Sequence, residues 1–174
     1  NYLMRRVFLS GLTTSFGAIS SYGLKKIVWK NFASDLFFNL FYSTASAYFS
    51  TGGASLMVKW IKVTGFGLGR AGSDALLQFV SPIKETHGMT DFEWADHRLN
   101  YNMGWAVATG PVPIALYSLL SGIECMHKGA WVKTATSGIQ LAQSFMMSKI
   151  YFGIRSSYED EWASEAQKDQ NNQK

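Results

Sequence analysis

The sequence predicts an all-α, polytopic integral membrane protein with about four transmembrane helices, and three observations predict it. Residues 99–123 are twenty-five in a row without an Asp, Glu, Lys or Arg, more than the roughly 20 apolar residues that carry a helix across a bilayer. Residues 36–58 form a second uncharged run, of twenty-three. The charges collect between such runs, in 25–35, 59–98 and 155–174, so the composition of 47% hydrophobic and 16% charged residues averages two unlike kinds of segment.

In chain order, residues 7–24 are the first and most diluted span, rich in Ser, Thr and Gly between Arg5-Arg6 and Lys25-Lys26. A signal peptide is the competing reading, but the lysine pair stands where its cleavage site belongs. The second span is 34–58. An amphipathic loop, 59–98, follows, in which the glycine-dense 65–72 reads as a turn and Ser73 as the cap of a short helix stopped by Pro82. Thr90-Asp91-Phe92-Glu93 then has the form of a capping box, so the third helix starts in water near Asp91 and enters the apolar stretch 99–123. Gly110-Pro111-Val112-Pro113 lacks two backbone donors and predicts a kink. The fourth span is 130–154, with Lys133 and Lys149 near its ends, where their stems can snorkel. The membrane domain thus covers 1–155. The polar tail, 156–174, is expected to form a short helix capped by Ser157 and then to be solvated or held by a partner, with Trp162 as its anchor.

Four spans put both termini on one side, together with Arg5, Arg6, Lys59, Lys62, Arg70, Lys84, Arg98 and Arg155, against Lys25, Lys26, Lys30, Lys128 and Lys133 on the other. The net charge of +4 is concentrated in the first third. Arg5, Arg6, Lys25, Lys26, Lys59 and Lys62 are the expected contacts for anionic lipid headgroups. Basic residues do not form a stripe beside stacking aromatics, which argues against a nucleic-acid partner. Cys125 is the sole cysteine, so this chain forms no internal disulfide and no thiolate metal site. A start at Asn1 fits removal of a transit peptide and hence an organelle.

Small residues recur at four-residue spacing, the spacing of one helix face. Ser43, Ala47, Thr51 and Ser55 form one row, Ala130, Thr134, Gly138 and Ala142 another, and Gly104 with Ala108 a shorter one. In lipid such rows let helices approach closely, within this chain or against other subunits. Phe37, Phe38, Phe41, Tyr42, Tyr48 and Phe49 make an aromatic face suited to lipid or a quinone, or simply to packing. Gly67-Leu68-Gly69-Arg70-Ala71-Gly72 matches the dinucleotide fingerprint in letters, but no second buried strand follows it. His87 and His97, with Trp94 and Trp105, are the candidates for a haem or quinone. His97 and His127 lie about 45 Å apart along one helix and cannot clamp one haem. Glu93 and His97 share a ligand-compatible spacing, but a solvated pair at a helix start is the plainer reading, and no metal site is assigned.

Neither 36–58 nor 99–123 holds a carboxylate, lysine, arginine or histidine. Pumps and ion-coupled carriers place such groups at depth. The sequence therefore points to a non-catalytic accessory subunit of a large energy-transducing complex, either the mitochondrial respiratory chain or ATP synthase, in the inner membrane and holding structural phospholipids. The alternatives are a quinone- or haem-associated anchor subunit and a small carrier or channel broken at Gly110–Pro113.

Overall fold

The computed structural model describes residues 2–49 and 55–174, and among them every regular element is a helix. These are α1 (Tyr2–Tyr22), α2 (Trp29–Tyr48), α3 (Leu56–Val80), α4 (Asp91–Thr109), α5 (Pro111–Met126) and α6 (Ala130–Asn172).

The joint expected at Gly110–Pro113 divides α4 from α5 at Gly110 without turning the backbone out of helix. Gly110 stays in the α region, with φ −52° and ψ −40°, and Pro111 follows as the first residue of α5, where its missing N–H is tolerated. Gly110 is buried, and a Cβ there would lie 2.9 Å from the Ala106 carbonyl oxygen and 3.3 Å from Thr64 Oγ1. The bare backbone lets the joint close on α3. Asp91–Met126 thus runs as one helix of 36 residues. Among the described residues it is the one helix long and apolar enough to cross a membrane, and 17% of its apolar window is buried. Its start carries the expected capping box: the Thr90 hydroxyl accepts from the Glu93 N–H at 3.3 Å, and the Glu93 carboxylate accepts from the Thr90 N–H at 2.9 Å.

Three sequence expectations are corrected. The stretch 34–58 is not one helix: α2 stops at Tyr48, Phe49 leaves the α region with ψ 57°, and α3 starts at Leu56. Gly52-Gly53, a helix-breaking pair, lies in the sequence between them. The loop 59–98 is mostly helix. Ser55, expected to end a packing row, instead caps α3 by accepting from the Val58 N–H. The glycines of 65–72 lie within that helix. A Cβ at Gly67 would meet the Ala106 Cβ at 2.7 Å and one at Gly69 would meet Tyr42 at 3.3 Å, so their helical cost is offset by close packing on α4 and α2. Ser73 is no cap; it shares a 2.7 Å hydrogen bond with the Tyr42 hydroxyl. The tail does not separate from the fourth helix. α6 continues unbroken through Ser156 and Ser157, where the Arg155–Glu159 pair bridges one turn at 3.0 Å. Trp162 is buried against this chain's own Trp94, and Gln170 donates to the Gly88 carbonyl at 2.9 Å.

Side-chain pairing fixes the helix directions. Tyr22 at the end of α1, Asp35 near the start of α2, Asp74 in the last third of α3, Arg98 in the first half of α4 and Arg155 in α6 all meet at one level. So α1, α3 and α6 run toward that level and α2 and α4–α5 away from it. The chain makes five alternating passes, which puts the start of α1 and the end of α6 at opposite ends and corrects the expectation that the termini share a side.

Candidate functional site

The level where the five passes meet is a lattice of buried ions. Asp35 is 1% exposed and Arg98 0%. Arg155 grips Asp35 with two parallel bonds, Nη1 to Oδ1 at 2.8 Å and Nη2 to Oδ2 at 2.6 Å. Arg98 grips Asp74 likewise, through Nε to Oδ2 and Nη2 to Oδ1, both at 2.9 Å, and its Nη2 also reaches Asp35 at 3.0 Å. Planar guanidinium forks match carboxylates in this bidentate way, which lysine cannot reproduce. Glu159 accepts from Arg155 Nε at 3.0 Å and lies 3.7 Å from Arg98 Nη1, and Arg70 approaches Asp35 at 3.9 Å. Three carboxylates face three guanidinium groups, so the formal charge is zero.

Neutral partners complete the lattice. Tyr22 donates its hydroxyl proton to Glu159 at 2.9 Å, Ser34 donates to Asp74 at 2.9 Å and Asn102 donates to Asp74 at 3.0 Å. Tyr151 donates to the Asn102 side-chain oxygen at 2.6 Å and accepts from Arg155 at 3.0 Å. Trp94 donates to Gln78 at 2.9 Å. A void of about 10 Å³ bordered by Tyr22, Asn31, Asp35, Arg155 and Glu159 has room for a single water. The chemistry available is that of a charge-paired ionic core, in which Arg98 Nη1 and Arg70 Nε are buried without a hydrogen-bond partner among the described residues. Breaking such a core by removing one partner is costly because the other is left charged in a low dielectric.

Beside the lattice lies an aromatic cluster that gathers three of the four residues singled out for a cofactor. His97 stacks on Trp162 with centroids 4.8 Å apart, Trp94 meets Trp162 edge-on at 5.9 Å, and His87 tilts against Trp94 at 5.1 Å. Trp105 is elsewhere, against Tyr151 at 5.2 Å. Among the described residues, no group of His, Cys, Asp and Glu has the arrangement of a metal site.

The small-residue rows divide. Ser43 and Ala47 are half-buried in α2, and Ser43 shares a 3.0 Å hydrogen bond with Ser10 of α1. Thr51 lies outside the described residues. Ala130, Thr134, Gly138 and Ala142 all face outward, as do Gly104 and Ala108, and a Cβ at Gly138 or Gly104 would meet nothing within 4 Å. Close internal approaches use other glycines. A Cβ at Gly17 would land on the Ser148 hydroxyl, 2.8 Å from its backbone carbonyl carbon, where α1 crosses α6.

Sequence reasoning missed the lattice by one residue at each edge. Asp35 and Arg98 immediately precede the uncharged runs 36–58 and 99–123, and Arg155 immediately follows the span 130–154. Asp35 read as the start of a span, and Arg98 and Arg155 as the aqueous flanks of theirs. The available signal was the matched signs, three acids and three arginines at positions that alternating helices bring to one level. No protein-family model matches the chain, no curated protein matches it in sequence, and no solved structure matches it.

Proposed function

We propose that the chain is a non-catalytic, membrane-embedded accessory subunit that packs between other helices of a larger assembly. The observation that carries this reading is the inverted distribution of polarity. Paired charges are buried at one level of the interior, while large apolar side chains point outward along the helices, among them Phe8 at 67%, Leu119 at 62% and Met146 at 58% exposure. Apolar exposure on this scale marks a surface that meets lipid or protein rather than water. Ionisable residues within a membrane bundle characteristically face its interior and pair with one another. The outward row of Ala130, Thr134, Gly138 and Ala142 supports the partner: small residues spent on no internal contact leave a groove along α6 that a neighbouring helix fits.

More specifically, we place the subunit in an energy-transducing complex of the mitochondrial inner membrane, the respiratory chain or ATP synthase, a setting that suits the basic balance and the uncharged spans. The test is mild extraction from native membranes, separation under native conditions and mass spectrometry of co-migrating chains, for the wild type and for Thr134→Leu with Gly138→Leu. The wild type should run in a large complex, and the double variant should be released from it with its own melting temperature unchanged. A wild-type chain that runs alone refutes the proposal, and a haem spectrum traced to it replaces this reading with the anchor subunit.

A further inference from the structure

We propose that the end of the bundle away from the ionic lattice is a docking surface for an anionic membrane leaflet, an inference that rests on the membrane reading above. The five alternating passes sort the charges outside the lattice in a way the four-span order concealed. Arg5 and Arg6 at the start of α1, Lys59 and Lys62 at the start of α3, and Lys128 and Lys133 at the α5–α6 turn all fall at this end. At about 1.5 Å per residue, Arg6 lies about 24 Å along α1 from Tyr22, Lys59 about 22 Å along α3 from Asp74, and Lys133 about 33 Å along α6 from Arg155. Glu124 is the sole carboxylate among the residues of this end, and it keeps its charge while accepting a hydrogen bond from the Thr136 hydroxyl, so six cations stand against one acid.

The lattice end has the opposite balance. Glu85, Asp91, Glu93 and Asp96 surround the α3–α4 turn and four more acids lie within 160–169, eight carboxylates against the six lysines at 25, 26, 30, 84, 168 and 174. Counting Lys and Arg alone, the two ends are even; the carboxylates separate them. The six expected headgroup contacts therefore do not form one surface. Lys25 and Lys26 sit at the acidic end, and Lys128 and Lys133 replace them at the basic one. A net excess of five positive charges is complementary to anionic headgroups, and its attraction acts within a Debye length of about 10 Å. A surface with more acids than bases is not.

The experiment reconstitutes the full chain into phosphatidylcholine vesicles doped with phosphatidylglycerol and counts, by native mass spectrometry, the lipids that stay bound. Arg5→Gln with Lys128→Gln and Lys133→Gln is compared with Lys25→Gln, Lys26→Gln and Lys30→Gln, which removes the same charge from exposed positions at the other end. The wild type should retain phosphatidylglycerol above its share of the vesicle, the first variant should lose about fivefold or more of that preference, and the second should keep it. High salt on the unsubstituted chain should reproduce the first result, which covers any misfolding of the variant. A chain that alkaline washing strips from the vesicles refutes the membrane reading and this surface with it. A chain that inserts, yet loses its preference equally in both variants or ignores both the first variant and salt, refutes the surface alone.

Discussion

Asp35→Asn isolates the energetic role of the lattice. The wild-type carboxylate receives two bonds from Arg155 at 2.8 and 2.6 Å, one from Arg98 at 3.0 Å, and a further cation, Arg70, at 3.9 Å. The amide keeps one oxygen acceptor and points its NH₂ at donors. Arg155 retains Glu159 and Arg98 retains Asp74, but the lattice now carries one uncompensated positive charge in a buried setting. Removing one partner of such a pair costs about 3–5 kcal/mol, and for a chain of this size each 1 kcal/mol moves the melting temperature by about 2–4 °C. Melting of the purified chain in mild detergent should therefore fall by roughly 6–20 °C, while Lys30→Gln on the exposed face of α2 should stay within about 0.5 kcal/mol of wild type. Combining Asp35→Asn with Arg155→Gln should cost less than the two losses added, by about 0.5–3 kcal/mol. A wild-type melting temperature for Asp35→Asn, or strict additivity of the pair, refutes the lattice as an ionic core.

Other perturbations separate internal contacts from outward ones. Gly17→Ala drives a methyl group into Ser148 and should destabilise the isolated chain by about 1–3 kcal/mol, whereas Gly138→Ala meets open space and should stabilise it by up to about 1 kcal/mol through helix propensity; equal melting shifts refute the assignment of the two faces. The cap of α4 should depend on pH. Glu93, on the first turn before the apolar stretch, is held below its ordinary 4.5 by the Thr90 hydroxyl and then by the Thr90 amide. Because the folded value is the lower one, the cap is at full strength above pH 4.5 and weakens as pH falls through the folded value. Amide protection in the first turn of α4, measured by hydrogen exchange, should drop at acid pH in the wild type, and Thr90→Ala should remove both the protection and its pH dependence.

What could be read from the sequence is what depends on local chemistry. The box at Thr90–Glu93 needs a hydroxyl and a carboxylate three residues apart, and the joint at Gly110, where α4 gives way to α5, needs the donor missing at Pro111. α3 was misread because it depends on everything around it. Gly65, Gly67, Gly69 and Gly72 look like a turn until Ala106 is there to pack against Gly67 and Tyr42 against Gly69. Arg70 and Asp74 look like loop residues until α2 brings Asp35 and α4 brings Arg98 and Asn102 to them. An internally paired charge and a solvated one are the same letter, and only the level at which the helices meet distinguishes them.

That level also answers how helices with apolar exteriors select one arrangement. In lipid the hydrophobic effect does not drive helices together, and small residues permit close approach without dictating register. A buried carboxylate is more demanding, because every arrangement that separates Asp35 from Arg155, or Asp74 from Arg98, leaves a charge uncompensated. On this reading the lattice selects the register, and the outer surface is left apolar for neighbours. Asp35→Leu with Arg155→Leu tests it, since the remaining acids, Asp74 and Glu159, still balance Arg70 and Arg98, and apolar replacement of a buried pair is often neutral or stabilising. The double variant should melt near or above the wild type yet populate more than one packing, seen as doubled or broadened amide resonances for α2 and α6 in detergent. A single sharp set of resonances at wild-type stability would show that packing alone sets the register and that the ions are dispensable to it.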